Sequence, residues 1–120
     1  MKIELTINSI IHGGKNAVLI TRSGHRYPNK KWADWRNMIV DHIKALRVID
    51  KPIEVECKLI VQYWSGDKRR RDLPAMIDSL YHIFERSGIL ADDCLVKELH
   101  WIPRGYDKTN PRVDFTIETL

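Results

Sequence analysis

The sequence predicts an α+β fold, a small mixed β-sheet with helices packed on one face, and three patterns point to it. Apolar residues alternate with polar ones at Ile3-Leu5-Ile7, from Ile53 to Tyr63, and at Val113-Phe115-Ile117. That is the period of a strand with one buried face. Apolar residues recur at helical spacing at Trp32-Trp35-Ile39-Ile43-Leu46 and at Met76-Leu80-Ile83-Phe84, each a single stripe. Elements apolar on one side only must cover one another around one core, and 120 residues suffice for a single domain, residues 1–120, without disulfides.

In chain order, Lys2 to Ile7 reads as the first strand. His12-Gly13-Gly14-Lys15-Asn16 is a flexible segment, and Ala17 to Thr21 a short strand. Arg22-Ser23-Gly24-His25 is a tight turn in which Gly24 can take positive φ; Arg26 and Tyr27 begin the return strand. Pro28 and Asn29 punctuate the chain, with Asn29 placed to cap a helix. That helix carries Lys31, Arg36, Asp41 and Lys44 outside its apolar stripe. After Pro52 comes the longest alternation, Ile53 to Tyr63, with Cys57 among its core positions. Pro74 excludes Leu73 from the helical region and occupies the first helical position itself, and Gly88 fits the end of that second helix. A strand follows around Leu95 to Ile102, then a loop from Pro103 to Pro111 and a last strand.

Hydrophobic residues form 43% of the chain and charged residues 30%, a balance that argues against disorder. No apolar run is long enough to span a bilayer, and nothing at the N-terminus reads as a signal peptide, so a cytoplasmic protein is expected. Cys57 and Cys94 lack metal-site spacing, and so do His12, His25, His42 and His100, so a zinc site is not expected. The formal net charge is +4, and its distribution says more. Lys68, Arg69, Arg70 and Arg71 form one basic run; Arg22, His25, Arg26, Lys30 and Lys31 form a second cluster. Such clusters attract polyanions, although a basic run is also a common solvated face.

The carboxylates suggest chemistry. Phosphodiester hydrolysis needs an activated water and a counter-charge, which a hard divalent cation held by carboxylates supplies. Asp72 follows the basic run directly, at the junction of a strand with a helix. Asp92 and Asp93 stand at the next junction, and Asp78 lies on the intervening helix, sharing a face with Pro74 and His82. Each has an ordinary alternative as a helix cap, a turn residue or a solvated charge.

Arg69-Arg70-Arg71-Asp72-Leu73, a helix, Gly88 and Asp92-Asp93 together resemble the signature of RusA-type Holliday-junction resolvases. Asn16, the Arg22 to Arg26 turn and Trp35-Arg36 resemble the family's N-terminal half. The resemblance implies a RusA-like fold and a homodimer of bacterial or prophage origin. It further implies magnesium-dependent paired incision of four-way junctions in DNA recombination and repair, with manganese a possible substitute. By position, Asp72 takes the place of the first catalytic aspartate and Asp93 of the last. The chain departs from the family at Pro74, where a second aspartate is usual, at Ala75 in place of an asparagine, and at Asp78 in place of a lysine. One helical turn rises about 5.4 Å, and helical side chains lean toward the N-terminus, so Asp78 could replace the lost ligand. The expected metal and catalytic set is Asp72, Asp78 and Asp93. The expected DNA contacts are Lys68, Arg69, Arg70, Arg71, Asn16, Arg22 and Arg26, with Arg104 and Lys108 extending the basic surface. Two other functions stay open: a branched-DNA-binding protein of the same fold that has lost the chemistry, and a protein-interaction domain.

Overall fold

The period-two segments assemble into a four-stranded mixed sheet, and both amphipathic helices lay their stripes on it. The computed structural model describes residues 1–13, 18–20, 22–24, 26–28, 30–69 and 71–120. The elements are β1 (Lys2–Ile7), β2 (Val18–Ile20), β3 (Arg26–Pro28), α1 (Lys30–Leu46), β4 (Cys57–Ser65), α2 (Leu73–Arg86), β5 (Val96–Tyr106) and β6 (Arg112–Thr119). Strand order in the sheet is β1-β6-β4-β5, and β2 with β3 forms a separate antiparallel hairpin. β6 runs antiparallel to both β1 and β4, whereas β4 and β5 are parallel. A parallel pair needs a crossover, and α2 provides it.

The predicted class is therefore the observed one. Leu59, Val61, Val113, Phe115 and Ile117 from the sheet meet Ile39 and Ile43 from α1 and Leu80, Ile83 and Phe84 from α2 in one core. Phe84 packs on Phe115 with ring centroids 4.6 Å apart. Gly88 takes φ 78° just past Ser87, the C-cap of α2, and Gly24 takes φ 83° in the hairpin turn, both as their lack of a Cβ allows. Among the described residues no helix is long and apolar enough to cross a membrane.

Several boundaries differ from expectation. β4 begins at Cys57, not Ile53, because its neighbours on both sides run out there: Cys57 pairs with Val96 and with Thr119. Ile53 instead bridges Leu90, and Val55 is exposed. β5 continues to Tyr106, through the stretch expected as loop. It is an edge strand, where a proline such as Pro103 withholds no hydrogen bond from a further neighbour. A register shift after Tyr63 places Trp64 opposite Gly105, whose φ is 128°. α2 starts at Leu73, so Pro74 takes the second helical position, where an N–H would also lack an intrahelical partner. In α1, Leu46 is exposed at the helix end and Arg36 is buried. The Arg36 guanidinium lies 4.9 Å from the Trp32 ring centroid and donates to Asn37 Oδ1, contacts that satisfy a long cation against the core. Ala17, Thr21 and the expected cap Asn29 lie outside the described residues.

Residues 11–13 cross α2 near its start. Trp32 Nε1 and Ser79 Oγ both donate to the His12 carbonyl, at 3.2 and 2.7 Å. The crossing is close enough that a Cβ on Gly13 would stand 2.9 Å from the Ala75 Cβ, so only glycine fits without displacement. Gly13→Ala is expected to lower stability by about 1–3 kcal/mol in urea denaturation, and Ala75→Gly in the same chain should recover part of that loss.

Candidate metal and nucleic-acid site

Leu80, Ile83 and Phe84 turn one side of α2 to the core, which leaves Pro74, Asp78, His82 and Glu85 exposed on the other. Asp72 is the N-cap residue, in extended conformation. Its carbonyl accepts from the Met76 amide at 3.2 Å. Asp72 and Asp78 line one shallow depression of about 370 Å³, floored by Pro74 and Ala75.

The far end of α2 holds a second acidic group. Asp92 Oδ1 accepts from the Cys94 amide at 2.9 Å and caps a single 3-10 turn, Asp93–Leu95. That amide, first among its causes, holds the Asp92 carboxyl below its ordinary pKa. The Asp93 amide donates to Glu85 Oε1 at 3.1 Å. Glu85, Asp92 and Asp93 each offer an oxygen within 4.8 Å of the others, all exposed. Three hard oxygen donors at this spacing suit a magnesium or calcium ion, so this acidic triad could bind a metal. Tyr81 lies between the two groups. Burial raises its phenol pKa most, and the charges of Asp93, Cys57 and Asp78 raise it further.

The expected ligands are thus only partly gathered. Asp72 and Asp78 share a depression, and Asp93 belongs with Glu85 and Asp92. A helix of 14 residues is about 21 Å long, and Asp72 and Asp93 stand beyond its opposite ends. Within one chain these two do not meet on one cation, because a crossover between parallel strands delivers its junctions to opposite ends of the sheet. Glu85 was absent from the expected set. Its signal was legible: seven residues after Asp78 is two helical turns, on the same face.

The basic run leaves β4 through a turn organised by Asp67. Asp67 Oδ1 accepts from the Arg69 amide at 2.9 Å, and Oδ2 pairs with Arg71 Nη2 at 2.8 Å. Lys68 and Arg69 are exposed, and Lys68 Nζ stands 5.9 Å from the Tyr106 ring centroid. Arg71 turns inward, its side chain 18% exposed. Its charge, after burial, holds the His12 pKa below the ordinary value. The same charge lowers the pKa of the Tyr63 phenol against burial, which wins and raises it. Arg22 is exposed in the hairpin turn and Arg26 opens β3. Asn16, His25 and Arg70 lie outside the described residues. Arg104 is exposed, and its Nε donates to Gln62 Oε1 at 2.8 Å.

None of the known protein-family models matches the chain. In sequence it is similar to the crossover junction endodeoxyribonuclease RusA of Aquifex aeolicus (strain VF5), 23% identical over 106 residues, which cover 86% of this chain and 81% of that protein. Coverage of 86% of 120 residues leaves about 17 outside the match, so α2 and both its junctions fall within it whichever end is left out. The similarity supports a distant relationship to RusA.

The placement of Tyr81 is testable by NMR titration of its ring carbon. Asp93→Asn and Asp78→Asn should each lower the Tyr81 pKa, the first more than the second; no change with either would contradict the geometry around α2.

Proposed function

We propose that the protein is a RusA-type endonuclease of the cytoplasm that cuts four-way DNA junctions with a divalent cation, magnesium or manganese, and that it works as a homodimer. The observation that carries this reading is the line of carboxylates along α2, inside the span that resembles RusA. At one end three carboxylate oxygens lie within 4.8 Å of one another, and at the other the basic run leads into Asp72. A bound cation would lower the pKa of a water and offset charge on the phosphorane-like transition state. Asp72, Asp78 and Asp93 are the proposed ligands and catalytic groups, with Glu85 and Asp92 supporting Asp93. Lys68, Arg69, Arg70 and Arg71 are proposed to engage DNA from the β4–α2 turn. Of these, Lys68 and Arg69 reach phosphates most readily, while Arg71 braces the turn through Asp67. Asn16, Arg22 and Arg26 extend the proposed DNA surface.

The length of α2 bears on how such a centre is built. Two copies packed with their α2 helices antiparallel about a two-fold axis would set Asp72 and Asp78 of one beside Asp93 of the other. Symmetry then makes two equal centres, as paired incision requires. In this arrangement the second copy supplies Asp93, while Asp78 stands in for the carboxylate that Pro74 cannot offer. The same departure favours a second reading, a junction-binding protein without cleavage, since Pro74 and Ala75 put no oxygen donor between Asp72 and Asp78.

A labelled four-way junction and a matched linear duplex, incubated with the protein in magnesium and then in EDTA, decide between the two. Paired nicks near the branch point, abolished by EDTA, are expected. Binding without nicks would establish the second reading instead. Asp72→Asn, Asp78→Asn and Asp93→Asn should each reduce cleavage by about 100-fold or more, at least the loss that follows from disturbing a ligand's supporting group. Unimpaired cleavage by Asp78→Asn would remove that residue from the set. Mixing Asp72→Asn with Asp93→Asn protein should restore nicking at one of the two positions, because one centre of each mixed dimer keeps both aspartates. A mixture as inactive as its components would place each centre within a single chain.

A further inference from the structure

Beyond the carboxylates, the ends of β4 and β5 and the start of α2 enclose a pocket of about 390 Å³, lined among others by Tyr63, Arg69, Arg71, Trp101, Pro103 and Tyr106. Its lining combines flat aromatic surface with guanidinium groups. Tyr63 and Trp101 stand with ring centroids 5.7 Å apart, brought together because their strands are neighbours. Tyr106 is exposed at the rim, beneath Lys68 Nζ.

Two buried polar atoms in this lining, the Tyr63 hydroxyl and Arg71 Nε, make no hydrogen bond of good geometry among the described residues, although the Arg71 side chain stands close enough to the hydroxyl to lower the Tyr63 pKa. Tyr63 is only 7% exposed. Arg71 already commits Nη2 to Asp67, which fixes the guanidinium in place. Buried donors without partners are rare in native folds and call for a use. Nε can only donate and a phenol donates readily, so the pair suits a ligand rich in acceptor oxygens.

Aromatic faces with fixed cations and spare donors describe a site for a single nucleotide whose base is unstacked. Paired bases in a continuous duplex keep their faces covered, whereas single strands and open branch points expose them, and any base has a π-face to offer an aromatic ring. We infer that this pocket holds one unpaired nucleotide of the DNA, its base against Tyr106 and Trp101 and its phosphate facing Arg69, Arg71 Nε and the Tyr63 hydroxyl. The inference rests on the reading that DNA is the substrate, and it supplies what the carboxylates cannot, a means of distinguishing a branch from a duplex.

The test uses the full chain and a 5′-phosphorylated tetrathymidylate, with thymidine and inorganic phosphate as separate arms, measured by isothermal titration. The tetranucleotide should bind more tightly than either arm. Tyr106→Ala should weaken it about tenfold or more through lost stacking, and Tyr63→Phe about three- to tenfold. Because the hydroxyl makes no well-formed hydrogen bond among the described residues, Tyr63→Phe should leave the melting temperature unchanged or raised, so weaker binding would not be a folding effect. Phosphate bound as tightly as the tetranucleotide would mean an anion site and overturn the proposal, as would unchanged binding by both variants. Junction cleavage measured in parallel separates the two readings. Cleavage with pocket-independent binding rejects the pocket alone; pocket-dependent binding without cleavage rejects the nuclease alone.

Discussion

The packing of α2 on the sheet is the constraint from which the rest of the structure follows. Leu80, Ile83 and Phe84 are fully buried against β4 and β6, with Phe84 tilted on Phe115. Full burial of such side chains is worth about 1.5–3 kcal/mol each, enough to hold the helix in one position and rotation. Once its apolar stripe is set, the opposite stripe is set as well. Asp78, His82 and Glu85 face outward because Leu80 and Phe84 face inward.

The crossover adds a second consequence. β4 and β5 lie side by side and parallel, so α2 must return the chain from the end of one to the start of the other. The basic run and Asp72 emerge at one end of the sheet, and Asp92 with Asp93 at the other. The surface they define is a line of carboxylates with cations gathered at its N-terminal end. Exposed carboxylates along one helix repel one another, and a divalent cation or the guanidinium groups of the turn relieve that repulsion. Asp67, itself a carboxylate, organises that turn. It ties the Arg69 amide and the Arg71 side chain into the turn, and so presents Lys68 and Arg69 outward while drawing Arg71 in beside Tyr63.

That inward turn also shows how a single loop divides its labour. Of the cations adjacent in sequence, the exposed ones are suited to a phosphate backbone, and the one held by Asp67 shapes a pocket between strand ends. Gly13, pressed against Ala75, serves the same region from above by letting the N-terminal segment cross α2 at close range.

The sequence by itself determined the elements and their buried faces. Alternation at Ile3-Leu5-Ile7 and at Val113-Phe115-Ile117, the stripe from Met76 to Phe84, and the glycines at 24 and 88 each express a preference that acts over a few residues. A strand or helix in water must bury its apolar side whatever its partner. The distant resemblance to RusA was legible too, in a basic run, one aspartate and an aspartate pair at set intervals. The tertiary structure alone decided where β4 begins, since that depends on where Val96 and Thr119 offer it neighbours, and that Pro103 lies in a strand, since only an edge position admits it. It alone decided that Asp93 joins Glu85 and Asp92 rather than Asp72. Spacing along the chain records how many residues separate two carboxylates but not the direction in which the chain returns, and that direction comes from which strands pair.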